Sequence, residues 1–208
     1  MTRLDHIITQ FLRAIRPQPL QVSSSDINSI LNETLEFLSA EIQDRDIIVE
    51  KDLSKGLPLL QIDGDQIKQA FYNICRNAFQ AMKSGGILRV ATSLDTNHVS
   101  IVFSDTGGGI APENITRIFE PYFTTKATGK GIGIGLAVVH GIVKNHNGAV
   151  RVESWPDKGT KVSLYFPQVA AGENKVSEKA GLPPRGKEKI LIVDDELTVA
   201  EVTRARLE

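Results

Sequence analysis

The chain has one cysteine, one tryptophan and two methionines in 208 residues, and almost no excess charge of either sign. The lone cysteine, Cys75, rules out an internal disulfide and carries no metal-ligand spacing around it, so it reads as a small buried apolar residue. Lys+Arg of 24 against Asp+Glu of 25 leaves a net charge of −1, which offers no electrostatic support for nucleic-acid binding. No apolar run approaches the roughly 20 residues that span a bilayer, and the first residues lack the apolar core of a signal peptide. A cytoplasmic location without membrane contact is the expectation. What is present, 41% hydrophobic and 24% charged residues, is ordinary for a globular chain with one good core plus appendages.

Periodicity divides the chain. Leu4, Ile7, Ile8, Phe11, Leu12 and Ile15 put an apolar stripe on one helix, which Arg16-Pro17 ends. A lone striped helix needs a partner, so residues 1–16 are expected to pair with another helix or a second copy. Ser23-Ser24-Ser25-Asp26 offers an N-cap, and Ile27, Ile30, Leu31, Leu35, Leu38 and Ile42 mark one helix face behind it. Strands are expected over Ile47–Leu53 and Leu59–Ile62. Asp63 can cap a helix running to about Met82. Hairpin strands follow at Ile87–Leu94 with Val99–Ser104, and at Ala149–Ser154 with Thr160–Phe166. A helix from Gly133 to about Asn145 separates the hairpins. Residues 168–187 are rich in Gly, Pro, Lys and Glu and read as a linker. Beyond it, Lys189-Ile190-Leu191-Ile192-Val193-Asp194-Asp195-Glu196 reads as a buried strand ending in acids. The mixture predicts an α+β sandwich, one sheet with helices on one face.

Four motifs carry chemistry. Asn73 and Asn77, four residues apart, share a helix face, and an amide oxygen is a hard ligand suited to Mg²⁺. Scattered amides on a surface helix have the same spacing. Asp105-Thr106-Gly107-Gly108-Gly109 ends a strand with a carboxylate able to accept a hydrogen bond from an exocyclic amine, then lets backbone pass close to a flat ligand. An Asp-Gly turn is the plainer reading. Phe119-Glu120-Pro121-Tyr122-Phe123-Thr124-Thr125-Lys126 has aromatic anchors, with Lys126 and Lys130 able to reach phosphates, as a lid would. Gly131-Ile132-Gly133-Ile134-Gly135-Leu136 leads into a helix whose N-terminal N–H groups can cradle phosphate. Its spacing is neither a Walker A loop nor a dinucleotide fingerprint. His6, His98, His140 and His146 do not cluster and read as structural or exposed.

In this order and spacing, the motifs resemble the N, G1, F and G2 boxes of the catalytic, ATP-binding domain of sensor histidine kinases, in the GHKL superfamily. The likeness covers roughly Ser25 to Pro167, and Gly159-Thr160 fits the family's last adenine-side position. The short lid is most similar to nitrogen-regulatory-type kinases. The resemblance implies a Bergerat-type fold that takes ATP and Mg²⁺. Asn77 would be the main Mg²⁺ ligand, supported by Asn73. Asp105 would read adenine, with Gly107, Gly109, Leu136 and Thr160 around the nucleotide. Gly131, Gly133 and Gly135 would hold the phosphates with Lys126.

Gyrase and the superfamily's chaperones carry a glutamate one turn before the metal-binding asparagine, as general base on water. Asn73 stands there in this chain and cannot take a proton at neutral pH. The implied activity is therefore a protein-histidine kinase, with a GHKL-type ATPase or a non-catalytic nucleotide-binding module as alternatives. The implied partners are a histidine-bearing dimerisation helix and a response regulator or receiver domain. Residues 1–22 resemble the second helix of that hairpin, 23–167 the ATP-binding domain, and 188–208 the start of a receiver, with Asp194 and Asp195 as its acidic pair. His6 does not match the acceptor pattern, so no phosphoacceptor is expected here. The isolated chain is expected to bind Mg-ATP without phosphorylating itself.

Overall fold

A computed structural model describes residues 20–82, 85–125 and 133–168. The N-terminal stripe, His6, Lys126, Lys130, Gly131, the linker and the Asp194-Asp195 strand lie outside the described residues.

The chain enters through strand β1 (Ser23–Ser25), which pairs antiparallel with β3 (Leu60–Ile62) in a two-stranded ribbon. Asp26 then caps α1 (Ile27–Phe37), its carboxylate accepting from the Asn28 N–H at 2.8 Å. Ile27, Ile30, Leu31 and Leu35 form the buried stripe. One continuous helix through Ile42 does not form: Leu38 sits at φ −89°, ψ 2°, and a separate short α2 (Ser39–Asp44) follows. Buried Thr34 donates its hydroxyl to the Ile30 carbonyl at 2.8 Å, a back-bond that bends helices, just before the break.

Strand β2 (Ile47–Leu53) precedes β3, and Asp63 caps α3 (Gly64–Ala81) by accepting from the Gln66 N–H. Ile67, Ala70, Phe71, Ile74, Cys75, Ala78 and Phe79 are its buried face. Burial pushes the Cys75 thiol up to about 12, so it stays protonated and acts as core filler. Strands β4 (Gly86–Leu94) and β5 (His98–Asp105) form the first hairpin. A 3-10 turn follows at Pro112–Asn114, with the proline in its first turn. Helix α4 (Gly135–Asn145) starts two residues later than the periodicity predicts, because Gly133 holds φ +71°, outside the right-handed region. Strands β6 (Ala149–Trp155) and β7 (Gly159–Pro167) form the second hairpin.

The main sheet has five strands in the order β2-β4-β5-β7-β6, with β2 and β4 parallel and the other pairs antiparallel. Strand alternation sends Leu88, Val90, Val99, Ile101, Phe103, Val162, Leu164 and Phe166 to the helical layer, where all are buried. Phe71 of α3 meets Phe103 of β5 with ring centres 5.3 Å apart. The opposite alternation leaves ion pairs such as Arg89–Glu50 and Arg151–Glu153 in solvent. The result is a mixed α+β sandwich. Among the described residues no helix is long and apolar enough to cross a membrane.

Buried His146, at the end of α4, joins the helical layer. Its Nδ1 lies 2.7 Å from the Ile142 carbonyl, while its Nε2 accepts the Asp63 N–H at 3.0 Å. The first contact needs a proton on Nδ1 and the second needs none on Nε2, which selects one neutral tautomer. The Asp63 carboxylate also accepts from the Gln21 N–H at 3.0 Å, so the chain is tied into this body from Gln21 onward. His98 and His140 are exposed.

Candidate functional site

The end of β5 delivers Asp105, which is only 8% exposed. Its Oδ1 accepts from the Gly107 N–H at 2.8 Å and from the Thr160 N–H at 3.3 Å. Among the described residues Oδ2 has no partner and remains open to a ligand donor. Burial pushes this carboxyl above the usual carboxylate range, and the two backbone N–H groups pull against that shift.

Two glycines permit the loop after β5 to close on its neighbours. A side-chain carbon on Gly107 would lie 2.6 Å from the Ala81 Cβ, so only glycine lets this turn rest on the end of α3, where the Gly108 N–H also donates to the Ala81 carbonyl. Gly159 has φ +95°, and a side-chain carbon there would lie 1.8 Å from the Asp105 carbonyl oxygen. The β6–β7 turn is thus pressed against the Asp105 backbone. The Asp157 N–H donates to the Gly108 carbonyl at 2.9 Å and completes the interlock. Gly109 sits against the Trp155 carbonyl at the edge of the same joint.

On the other side, α3 presents Asn73 and Asn77, both half-buried. A side-chain carbon on Gly135 would lie 3.5 Å from Asn77 Nδ2 and 3.8 Å from Asn73 Oδ1, so the first residue of α4 faces the two amides. Neither amide has a hydrogen-bond partner among the described residues. Ile134 provides no side-chain cap for α4, which leaves the N–H groups of its first turn available. Leu136 follows in that turn, half-buried. Nearby, the Tyr122 N–H donates to the Gly133 carbonyl at 2.9 Å, Phe119 packs on His140 at 5.2 Å, and the Arg117 guanidinium lies 4.3 Å from the Phe123 ring centre.

Asn73, Asn77, Asp105, Gly107, Gly109, Gly133, Gly135, Leu136 and Thr160 therefore belong to adjoining elements of the described body, while Lys126 and Gly131 lie outside it. Ser154 was not legible as a site residue. It lies on β6, where its hydroxyl meets Ile110, Gly159 and Thr160. One acidic, amine-accepting wall and one wall of amides with a helix N-terminus suit a ligand with an amine-bearing base at one end and anionic oxygens at the other.

Residues 62–170 match the family described as histidine kinase-, DNA gyrase B-, and HSP90-like ATPase. The chain belongs to this family. It is similar to the sensor histidine kinase ZraS of Escherichia coli K12, 36% identical over 165 residues covering 79% of this chain and 35% of that protein. It is also similar to sporulation kinase E of Bacillus subtilis, 33% identical over 168 residues, 80% of this chain and 22% of that protein. Among solved structures, full-length ShkA in complex with AMPPNP superposes with a TM-score of 0.69 at 26% identity, covering 80% of this chain and 37% of that one. The catalytic domain of histidine kinase ThkA, at 23% identity and TM-score 0.64, shares the fold over 71% of this chain and 95% of that domain. The chain spans about a third of the length of the ZraS protein. It carries the ATP-binding domain of a histidine kinase.

Proposed function

We propose that this domain binds ATP with Mg²⁺ and donates the γ-phosphate to a histidine imidazole on a partner helix. The observation that carries this reading is the placement of Gly135 beside the Asn73 and Asn77 amides, with no carboxylate at position 73. Asp105 Oδ2 accepts a hydrogen bond from the adenine amine. The first turn of α4, with Gly133 and Gly135, receives phosphate oxygens, and Lys126 and Gly131 join them. Leu136 and Gly109 border the nucleotide.

The unpartnered amides fit a metal that is also held by phosphates, since Mg²⁺ takes few protein ligands and prefers hard oxygens. Asn77 holds it, with Asn73 in support. Bound there, Mg²⁺ neutralises charge on the phosphate oxygens. The protein's own part is to orient the nucleotide so that an incoming imidazole nitrogen lies in line with the γ-phosphorus. The N–P bond forms as the bond from phosphorus to the bridging oxygen breaks, and ADP leaves with that electron pair. Asn73 cannot accept a proton from water, which argues against an ATPase as the main activity.

The partner helix belongs to a dimerisation hairpin, and a response regulator or receiver domain takes the phosphoryl group next. ThkA has been crystallised with the response regulator protein TrrA, which supports a regulator as partner. Residues 1–16 are suited to homodimer contact, residues 168–187 to a linker, and residues 188–208 to the start of a receiver in a hybrid kinase. The test is transfer from γ-labelled ATP to a separately made hairpin carrying an acceptor histidine. Label on the hairpin, lost with Asn77→Ala, is the expected result. Free phosphate without labelled protein overturns the kinase reading in favour of an ATPase.

A further inference from the structure

Ser154 Oγ lies 2.8 Å from the Ile110 N–H nitrogen, 3.1 Å from the Gly159 carbonyl oxygen and 2.9 Å from Thr160 Oγ1. A serine hydroxyl has one proton and two lone pairs. The Ile110 N–H can only donate, so it takes one lone pair. The Gly159 carbonyl can only accept, so it takes the proton. The Thr160 contact is then satisfied in one direction alone, with Thr160 donating to Ser154. Reversing it would leave the Gly159 carbonyl facing the Ser154 oxygen with no proton between them. This arrangement consumes the single proton of Thr160. Half-buried beside Asp105, its oxygen is left with lone pairs only. Asp105 Oδ2 is likewise an acceptor.

We infer that Ser154 is a positioning residue that sets base selectivity: by taking the Thr160 proton, it makes the Asp105–Thr160 edge acceptor-only, matched to a 6-amino purine and opposed to a 6-oxo purine. Adenine offers N–H donors at that position, whereas guanine offers a carbonyl oxygen. An edge without a donor leaves that oxygen unpaired on entry, a strong basis for rejection. The Ile110 bond adds a second role, because it fixes the end of the 107–110 loop to the same hydroxyl. This inference rests on the ATP reading.

The experiment is equilibrium binding of ATP and GTP to the full 208-residue chain, wild type and Ser154→Ala, with circular dichroism of each. In Ser154→Ala the Thr160 hydroxyl is free to turn its proton toward the ligand. The ratio of ATP to GTP affinity is expected to fall about tenfold while the folded signal persists. Ser154→Thr, which keeps a hydroxyl, should restore much of the ratio. If Ser154→Ala does not fold, Thr160→Val removes the same outward acceptor without touching the Ile110 and Gly159 contacts, and the ratio should fall there too. An unchanged ratio in whichever of these variants folds overturns the inference while leaving ATP binding intact. Wild-type protein that binds neither nucleotide overturns the ATP reading and this one together.

Discussion

The two walls of the site are built differently. Around Asp105, backbone and side chains are cross-tied: Gly108, Ile110, Asp157 and Thr160 all bond across loops distant in sequence, and Gly107 ties Asp105 within its own turn. Around Asn73 and Asn77, the amides have no partners among the described residues, and the helix N-terminus opposite has no side-chain cap. The Asp105 wall is pre-organised, and the asparagine wall keeps its polar groups uncommitted. Pre-organisation suits recognition of a rigid ring, because little ordering remains to be done on binding. Uncommitted amides suit a charged group that brings its own metal and water, since such groups can trade ligands as the phosphate chain moves.

Variants on either side should separate these roles. The largest effect is expected from Asn77→Ala, which removes the proposed Mg²⁺ ligand without disturbing the cross-tied wall. Mg²⁺-dependent ATP affinity should fall by about 100-fold, at the upper end of losses seen when metal sites are weakened. Calorimetry with and without Mg²⁺ checks this, and unchanged Mg-ATP affinity would sink the assignment.

Gly159→Ala attacks the other wall. The new carbon would meet the Asp105 carbonyl in a backbone conformation that alanine avoids, so a stability loss of about 3 kcal/mol is expected. Urea unfolding measures it. A loss under about 0.5 kcal/mol would mean that the β6–β7 turn is not pressed onto the Asp105 backbone.

Asp105→Asn should split binding from stability. The carboxyl is held above its unfolded value, so the folded state binds this proton more tightly than the unfolded chain. That contribution is present at acid pH and is lost as pH rises through the folded value. At neutral pH the buried charge is thus a cost, which asparagine removes while its carbonyl still accepts from Gly107 and Thr160. ATP affinity should fall about tenfold, as the open position now presents N–H groups. The unfolding midpoint at neutral pH should stay level or rise. Wild-type ATP binding should also weaken on acidification earlier than an ordinary carboxylate would dictate. A variant that loses stability and keeps ATP affinity would reverse the assignment of this wall.

Arg89→Ala is the smallest change. Arg89 and Glu50 pair on the solvent face of the sheet, with side chains 60% and 48% exposed. Less than about 1 kcal/mol of stability should be lost, with no effect on nucleotide affinity. A clear effect on binding would mean that the outer sheet face communicates with the site.

Local patterns made much of this readable. The four-residue spacing of Asn73 and Asn77 follows from helix geometry, and Asp63 announced the start of α3 as a cap. Alternation marked four of the five main strands, within a residue or two of their observed ends, and β2 was readable by its β-branched start. Other features were not legible. Asp26 caps α1 as the Ser23–Asp26 run suggested, but Ser23–Ser25 gave no strand signal: two of its three residues are exposed, and it is a strand only because β3 lies beside it. The apolar face from Ile27 to Ile42 is continuous on paper, but Leu38 leaves helical geometry and divides it into two helices.

By itself, then, the order of residues determined which groups share a helix face, which strands alternate and which family the motifs match. These are short-range consequences of backbone period and side-chain chemistry. Tertiary structure alone decided that the 107–110 loop locks onto residues 154–160, that Gly135 faces the two asparagines, and that Ser154 directs a proton on Thr160. The first two require segments tens of residues apart to be brought into contact, and the third depends on the Ile110 N–H reaching Ser154 from 44 residues away, which only the packed core can enforce.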